Sequence, residues 1–119
     1  MNRASTDFDS ILHLCQKQHR RIVLAILAEE RRELTLSDLT EAVLRYNHHV
    51  PLEAAAEDTS DEIRLSLYHS HLPKLASAGL IDYDQDGRVV ELTEQFREVQ
   101  PTVSMIIDAD PTLDEPIEL

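Results

Sequence analysis

The sequence predicts a mostly helical α+β domain that ends in one β-hairpin. Apolar residues recur at helical spacing in several segments before residue 79. Farther along, two β-rich runs flank a short turn that contains a glycine, which is the pattern of a hairpin. Aromatic residues make up only 4% of the 119 residues. The core must therefore consist mainly of Leu, Ile, Val and Ala, a composition that favours helices over a sandwich or a barrel.

Two amphipathic helices are predicted near the N-terminus. The first covers residues 7–15, where apolar residues follow helical spacing, and residues 16–18 form a polar break after it. The second covers residues 19–31 and is the stronger of the two. Its apolar side carries Ile22, Val23, Ile26 and Leu27.

A third helix is predicted to begin after a capping sequence. Thr35 and Ser37 are both candidate N-caps, and Thr35 with Asp38 forms a variant of the capping box. The helix extends to about His48. Residues 51–58, which follow it, fit either a helical turn or a loop.

A fourth helix is predicted from Thr59 to Ala78. Hydroxyl and acidic side chains at its start suit the N-terminus of a helix. Gly79 lies where a left-handed C-cap is expected. Pro73 cannot donate a hydrogen bond to the carbonyl of His69, so a kink or a break is expected inside this helix.

The predicted hairpin consists of residues 80–84 and 88–92. Thr93 is a candidate cap for a last short helix over residues 94–99, and residues 101–107 form a small apolar cluster after it.

The C-terminal residues 108–119 hold two prolines and five acidic residues, a composition that predicts a disordered tail. We therefore assign residues 1–107 to one domain with terminal helices, and residues 108–119 to an acidic tail.

Helices followed by a hairpin are the element order of a winged helix-turn-helix domain, here three or four helices plus a two-stranded β-wing. Residues 70–81, SHLPKLASAGLI, resemble the run that ArsR-like winged-helix repressors carry at the end of the recognition helix. Residues 66–84, together with Arg20 and Arg21, resemble an uncharacterised winged-helix family common in haloarchaea. The resemblance covers residues 8–93 and implies a transcription regulator.

The fourth helix carries the predicted DNA-reading face. Ser66, His69 and Ser70 lie opposite its apolar arc, and the corresponding face of a recognition helix enters the major groove. This face lacks Arg and Asn, so an ordinary solvated polar surface is the alternative.

Four basic residues are candidate phosphate contacts. They are Arg88 just past the hairpin turn, Lys74 on the fourth helix, and Arg20 and Arg21 at the start of the second. The alternative for Arg88 is an exposed turn residue without a ligand. His71 falls on the apolar arc, which predicts a packed core histidine.

The charge distribution is uneven and indicates adaptation to high salt. Residues 1–50 hold seven Lys or Arg and seven Asp or Glu, whereas residues 51–119 hold four and sixteen, which accounts for the formal charge of −12. Repulsion within such a surface is screened in molar salt, where the Debye length falls to about 3 Å. The alternative is an ordinary acidic cytosolic protein.

Composition also excludes several classes of protein. A single cysteine cannot form an intramolecular disulfide, and no N-terminal apolar run or apolar stretch of membrane-spanning length is present. These features predict a cytoplasmic location away from membranes. Two glycines provide no phosphate-binding loop, and the one Cys and scattered His form no closed metal set. We therefore expect no enzyme activity, no metal and no cofactor.

Two functions remain open at this point. The first is a transcription regulator that binds double-stranded DNA; the second is a protein-interaction module whose acidic C-terminal half contacts a protein partner. A basic stripe from helix to wing would favour the first, and an acidic recognition face the second. Apolar residues in the terminal segments 7–15 and 101–107, and the symmetry of palindromic operators, also predict a homodimer.

Overall fold

Helices and three short strands build the chain in the computed structural model, which describes residues 8–48, 57–84, 86 and 88–111. In chain order the elements are α1 (Phe8–Leu14), α2 (Gln18–Glu30), β1 (Leu34–Thr35), α3 (Leu36–Val43), α4 (Glu57–Ser66), α5 (Leu72–Ser77), β2 (Ile81–Asp84), β3 (Val89–Leu92) and α6 (Glu94–Asp108). A π-helical turn follows α3 (Leu44–His48), and another joins α4 to α5 (Leu67–His71). This order confirms the predicted α+β fold of the winged-helix type.

The sheet has three strands, whereas the sequence predicts only two. β2 and β3 form the expected antiparallel hairpin, with Ile81 opposite Leu92. β1 adds to the other side of β3, where Leu34 pairs with Val90 and Thr35 with Val89. A strand of two residues is too short to show the alternation of apolar and polar residues by which strands are recognised, so it escaped the sequence analysis.

Threonine side chains cap α3 and α6. The hydroxyl of Thr35 accepts a hydrogen bond from the Asp38 amide at 3.0 Å, and the Asp38 carboxylate accepts one from the Thr35 amide at 3.1 Å. This reciprocal pair completes the predicted capping box and makes Thr35, not Ser37, the N-cap. Thr93 caps α6 by accepting from the Phe96 amide at 3.2 Å.

The recognition helix, defined as the continuous helix from Glu57 to Ser77, contains the predicted irregularity as a π turn. The amide of Leu72 donates to the carbonyl of Leu67, five residues back, immediately before Pro73. A wider turn at this point accommodates the proline, which lacks an N–H for the usual bond. The helix begins at Glu57, two residues before the predicted start at Thr59. Residues 49–56, which include most of the segment predicted as a helical turn or a loop, lie outside the described part of the chain.

The last helix is longer than predicted. It continues through Pro101 to Asp108, although the sequence analysis ended it at residue 99. Pro101 lacks an N–H and so removes one backbone hydrogen bond of the helix. Burial of Val103 and packing of Ile106 against the core hold the second half of the helix in place. Asp108 therefore belongs to α6, and residues 112–119 of the predicted tail lie outside the described residues.

The core is aliphatic, as the composition predicts. Its largest fully buried side chains include Leu24, Leu27, Leu39, Leu44, Leu67, Leu72, Leu75, Leu80 and the aromatic Phe96. These side chains come from α2, α3, the recognition helix, the start of the hairpin and α6. One core therefore fixes the recognition helix and the wing against the same support.

Gly79 ends the recognition helix in the left-handed conformation that the sequence predicts, with φ of +84°. A Cβ at this position would lie 2.7 Å from Oε1 of Gln95. We expect Gly79→Ala to lower the free energy of unfolding by about 1–2 kcal/mol, because the left-handed backbone strains any residue with a Cβ, whereas the flexible end of Gln95 can move away at small cost. Urea unfolding measures the change, and Ser77→Ala at an exposed helix position is the control. Equal stability of Gly79→Ala and the wild type would contradict the expectation.

Candidate nucleic-acid interface

The outer face of the recognition helix exposes most of the residues predicted to read DNA. His69 and Ser70 are exposed, and Ser66 is partly exposed. Leu65, which the sequence analysis did not single out, lies on the same helix with 55% of its surface accessible. Its position one residue before Ser66 was the available signal, because a leucine outside the apolar arc has no core to pack into.

The wing contacts the recognition helix through an aromatic cluster. Tyr83 of β2 meets Tyr68 edge-to-face at 6.1 Å between ring centroids, and Tyr68 in turn meets His69 at 4.9 Å. The guanidinium carbon of Arg88 lies 5.9 Å from the Tyr68 ring centroid, within the range of a cation–π contact. Arg88, Tyr68 and His69 therefore form one continuous surface from wing to helix.

Arg88 is exposed and adopts a left-handed backbone conformation, with φ of +56°. Left-handed residues other than glycine are uncommon and occur mostly in turns. Arg88 therefore lies in the turn with its guanidinium beside the ring of Tyr68. The sequence predicted Arg88 as a site residue but gave no signal for Tyr68 and Tyr83, because neither residue type nor spacing indicates a contact between a helix and a hairpin.

Lys74 is exposed but lies on a different side of the recognition helix. It lines an open groove with Asp9, Ser10 and His13 of α1. The recess between helix and wing is instead lined by Pro73, Ala76, Tyr83, Asp84 and Asp86 and has a volume of about 360 Å³. Lys74 and Arg88 therefore do not form a joint phosphate clamp within one recess.

Charges on the interface are mixed. Asp61 and Glu62 are exposed in the N-terminal half of the recognition helix, and Asp84 and Asp86 are exposed on the wing. Among the described residues of helix and wing, no basic stripe links the two elements. The exposed Arg88 and the partly exposed Arg64, whose Nη1 donates to Oγ of Ser37 at 3.3 Å, carry positive charge, whereas the start of the helix is acidic.

Arg20 is buried, which contradicts its predicted role as a phosphate contact. Only 4% of its surface is accessible, and its Nε and Nη1 atoms have no hydrogen-bond partner among the described residues. Burial lowers the pKa of the guanidinium. The prediction failed because adjacent residues at a helix start point about 100° apart, and Arg20 faces the core.

Arg21 is also engaged inside the molecule. Its Nη2 forms an ion pair with Asp110 at 2.9 Å, and its Nη1 donates to the carbonyl of Cys15 at 2.6 Å. These contacts tie the end of α6 to the turn between α1 and α2. Arg21 therefore has a structural role, and because its side chain is still 20% exposed, the phosphate contact predicted for it stays a prediction.

Burial of Arg20 leads to a prediction about stability. We expect Arg20→Met to raise the free energy of unfolding by about 1–3 kcal/mol, because methionine fills a similar volume and removes two buried N–H groups, at Nε and Nη1, that have no hydrogen-bond partner among the described residues. Arg21→Met is the matched control and should destabilise, since it breaks the ion pair with Asp110. Urea unfolding in molar KCl measures both. Equal destabilisation by the two variants would contradict this account of Arg20.

His71 packs beside His19, with ring centroids 5.3 Å apart in an edge-to-face arrangement. It is half-buried, in line with the predicted packed histidine. Burial, followed by the nearby His19, Arg20 and Lys17, lowers the pKa of His71 to about 4. The imidazole is therefore neutral at physiological pH.

Across residues 8–48, 57–84, 86 and 88–111, no group of three or more His, Cys, Asp or Glu side chains is arranged to hold a metal ion. Within the same ranges, no helix has the combined length and apolar character required to span a bilayer.

Comparison with known proteins identifies one family. The model of a domain of unknown function, DUF7344, matches residues 12–91, which extend from α1 to β3 and include the recognition helix and the wing. No curated protein and no solved structure matches the chain.

Proposed function

The chain belongs to the DUF7344 family, and from the geometry of its helix and wing we propose that it is a cytoplasmic winged-helix transcription regulator that binds double-stranded DNA in high salt. One observation carries the proposal: the exposed Arg88 of the wing and the exposed His69 of the helix both contact the half-buried ring of Tyr68 between them, so that wing and helix form one continuous surface. A helix and a wing joined in this way present the shape that occupies adjacent grooves of a duplex.

In this complex the recognition helix lies in the major groove. Ser66, His69 and Ser70 supply hydrogen-bonding groups for base edges and phosphates, and the exposed Leu65 packs against a thymine methyl. Arg88 contacts the backbone or enters the minor groove. Few cations face the duplex, so affinity depends on shape and hydrogen bonds more than on counterion release.

Fluorescence anisotropy with DNA from the protein's own promoter region, between about 0.5 and 3 M KCl, tests the proposal. We expect a shallow salt dependence and a loss of affinity of about tenfold or more in Arg88→Ala. Arg97→Ala is the control, because Arg97 is exposed on α6, outside the helix and wing. Absence of binding to every fragment would reject DNA recognition; binding that Arg88→Ala leaves unchanged would reject the role of the wing.

We also propose that two copies associate through α1 and α6. Phe8, Leu12 and Met105 have 55%, 43% and 61% of their surfaces exposed, and the two helices that carry them pack side by side. A two-fold dimer covers these side chains and matches a palindromic site. Light scattering in molar KCl should give a dimer at tens of micromolar, and Leu12→Glu should give a monomer. A wild-type monomer under these conditions would contradict the proposal.

A protein partner is the second candidate function. Exposed Leu65 between the acidic start of the recognition helix and His69 fits a partner with a basic, partly apolar surface. A photoreactive amino acid at position 65 separates the two functions in cells. Adducts sensitive to nuclease support DNA binding, whereas adducts sensitive only to protease support a protein partner.

A further inference from the structure

A groove of about 600 Å³ lies between the end of α2, the end of β3 and the start of α6. None of the residues assigned to DNA recognition lines it. Leu27 and Phe96, each only 1% exposed, lie beneath its floor, and the partly exposed Ala28 and Leu92 provide the apolar surface that a ligand can reach. Three exposed arginines line it: Arg31, Arg32 and Arg97.

The charge of this groove differs from that of the molecule. Its lining holds the three arginines and two glutamates, Glu91 and Glu94, in a chain whose formal charge is −12. Arg32 pairs with Glu30 at 3.4 Å and Arg97 with Glu94 at 3.6 Å, and all four side chains are exposed. Exposed ion pairs of this kind contribute little to the stability of the fold. Arg32 and Arg97 can therefore each exchange their present partner for the carboxylate of a ligand at a small cost in free energy.

The groove also contains an open strand edge. β1 covers β3 only at Val89 and Val90. On the β1 side, the carbonyl of Arg88 accepts a hydrogen bond from the amide of Leu36. On the β2 side, the amide of Thr93 donates one to the carbonyl of Leu80. Because backbone groups alternate along an antiparallel strand, those of Leu92 point to the β1 side, where no described strand reaches them.

We propose that this groove binds an extended acidic peptide from a partner protein. The peptide backbone pairs with Leu92 as an added strand, its carboxylates contact Arg31, Arg32 and Arg97, and its apolar side chains cover the partly exposed side chains of Ala28 and Leu92. Alternation along an extended chain places acidic residues on one face and apolar residues on the other, which matches an arginine rim above an apolar floor. This surface is separate from the DNA-binding face and does not depend on it.

The test uses the full chain and a labelled eight-residue peptide that alternates aspartate and leucine. We expect saturable binding at about 0.5 M KCl, and a loss of affinity of about tenfold or more when Arg32→Glu and Arg97→Glu are combined, since each reverses the charge of a contact. A peptide that alternates lysine and leucine should not bind. Arg88→Ala, outside the groove, is the matched control and should bind as the wild type does.

Hydrogen exchange of single amides distinguishes strand addition from loose apolar contact. Peptide binding should slow exchange of the Leu92 amide, whereas the Val90 amide, opposite Leu34 in the sheet, should change little. Equal binding of the acidic and basic peptides, or unchanged exchange at Leu92, would overturn the proposal. Loss of DNA binding in Arg88→Ala with retained peptide binding would separate the two surfaces.

Discussion

Reducing KCl from about 3 M to about 0.1 M is expected to destabilise the fold by about 3 kcal/mol or more, which lowers Tm by about 10 °C. The acidic residues of the second half cause this effect. Two carboxylates about 10 Å apart in water repel by about 0.4 kcal/mol without screening, and many such pairs act together on one small domain. Molar salt reduces the Debye length to about 3 Å and removes most of this repulsion.

The wing offers a direct test of that cause. Asp82, Asp84 and Asp86 are all exposed. Asp82 and Asp84 lie about 7 Å apart on one face of β2. Asp86 follows in the turn, where its amide donates to Oδ1 of Asp84 at 3.1 Å. Replacing all three with Asn should stabilise the protein by about 1 kcal/mol in about 0.1 M KCl and have little effect in about 3 M. Glu41→Gln is the control, because Glu41 pairs with Arg45 at 3.5 Å and its loss removes an attraction.

Circular dichroism melts across the salt range measure both effects. A Tm that stays constant or falls as KCl rises would contradict adaptation to high salt. If the triple variant gained equal stability at both salt concentrations, the gain would come from local strand structure and not from the removal of charge repulsion.

The helices could be predicted from sequence because their signals are local. Thr35 with Asp38, and Gly79 at a helix end, each act within four residues, and the structure has both as predicted. The β1 strand and the second half of α6 depend instead on distant partners. Leu34 is in a strand only because it pairs with Val90. The helix α6 continues past Pro101 because it packs against α1 and α2.

The candidate site was predictable in part for the same reason. Helical periodicity separates His69 and Ser70 from the core side of their helix, and the turn pattern exposes Arg88. Periodicity also places Arg20 on the core side of α2, three and seven residues before Val23 and Leu27, and this signal was overlooked. It could not show that Asp110 lies within reach of Arg21, because that contact depends on the tertiary packing of the end of α6.

Acidification is expected to destabilise the protein through His71. Its pKa is lowered to about 4 in the folded state, first by burial and then by the cationic neighbours His19, Arg20 and Lys17. An unfolded histidine has a pKa of about 6.5, so the unfolded chain binds the proton at a higher pH than the folded protein does. The folded state is therefore favoured above about pH 6.5, and this contribution is lost as the pH falls toward 4. Because His71 is only half-buried, solvent screening reduces this contribution to about 1–2 kcal/mol.

His71→Gln isolates this effect, because glutamine retains a polar side chain of similar size but does not titrate. In about 3 M KCl, where repulsion among the carboxylates is screened, the wild type should lose stability between pH 6.5 and 4.5 while the variant should lose much less. Urea unfolding at successive pH values measures the two slopes. His69→Gln, at an exposed position on the same helix, is the matched control and should keep the wild-type slope. If stability fell equally with pH in the wild type and in His71→Gln, the pair of His71 with His19 would not govern the stability of the protein in acid.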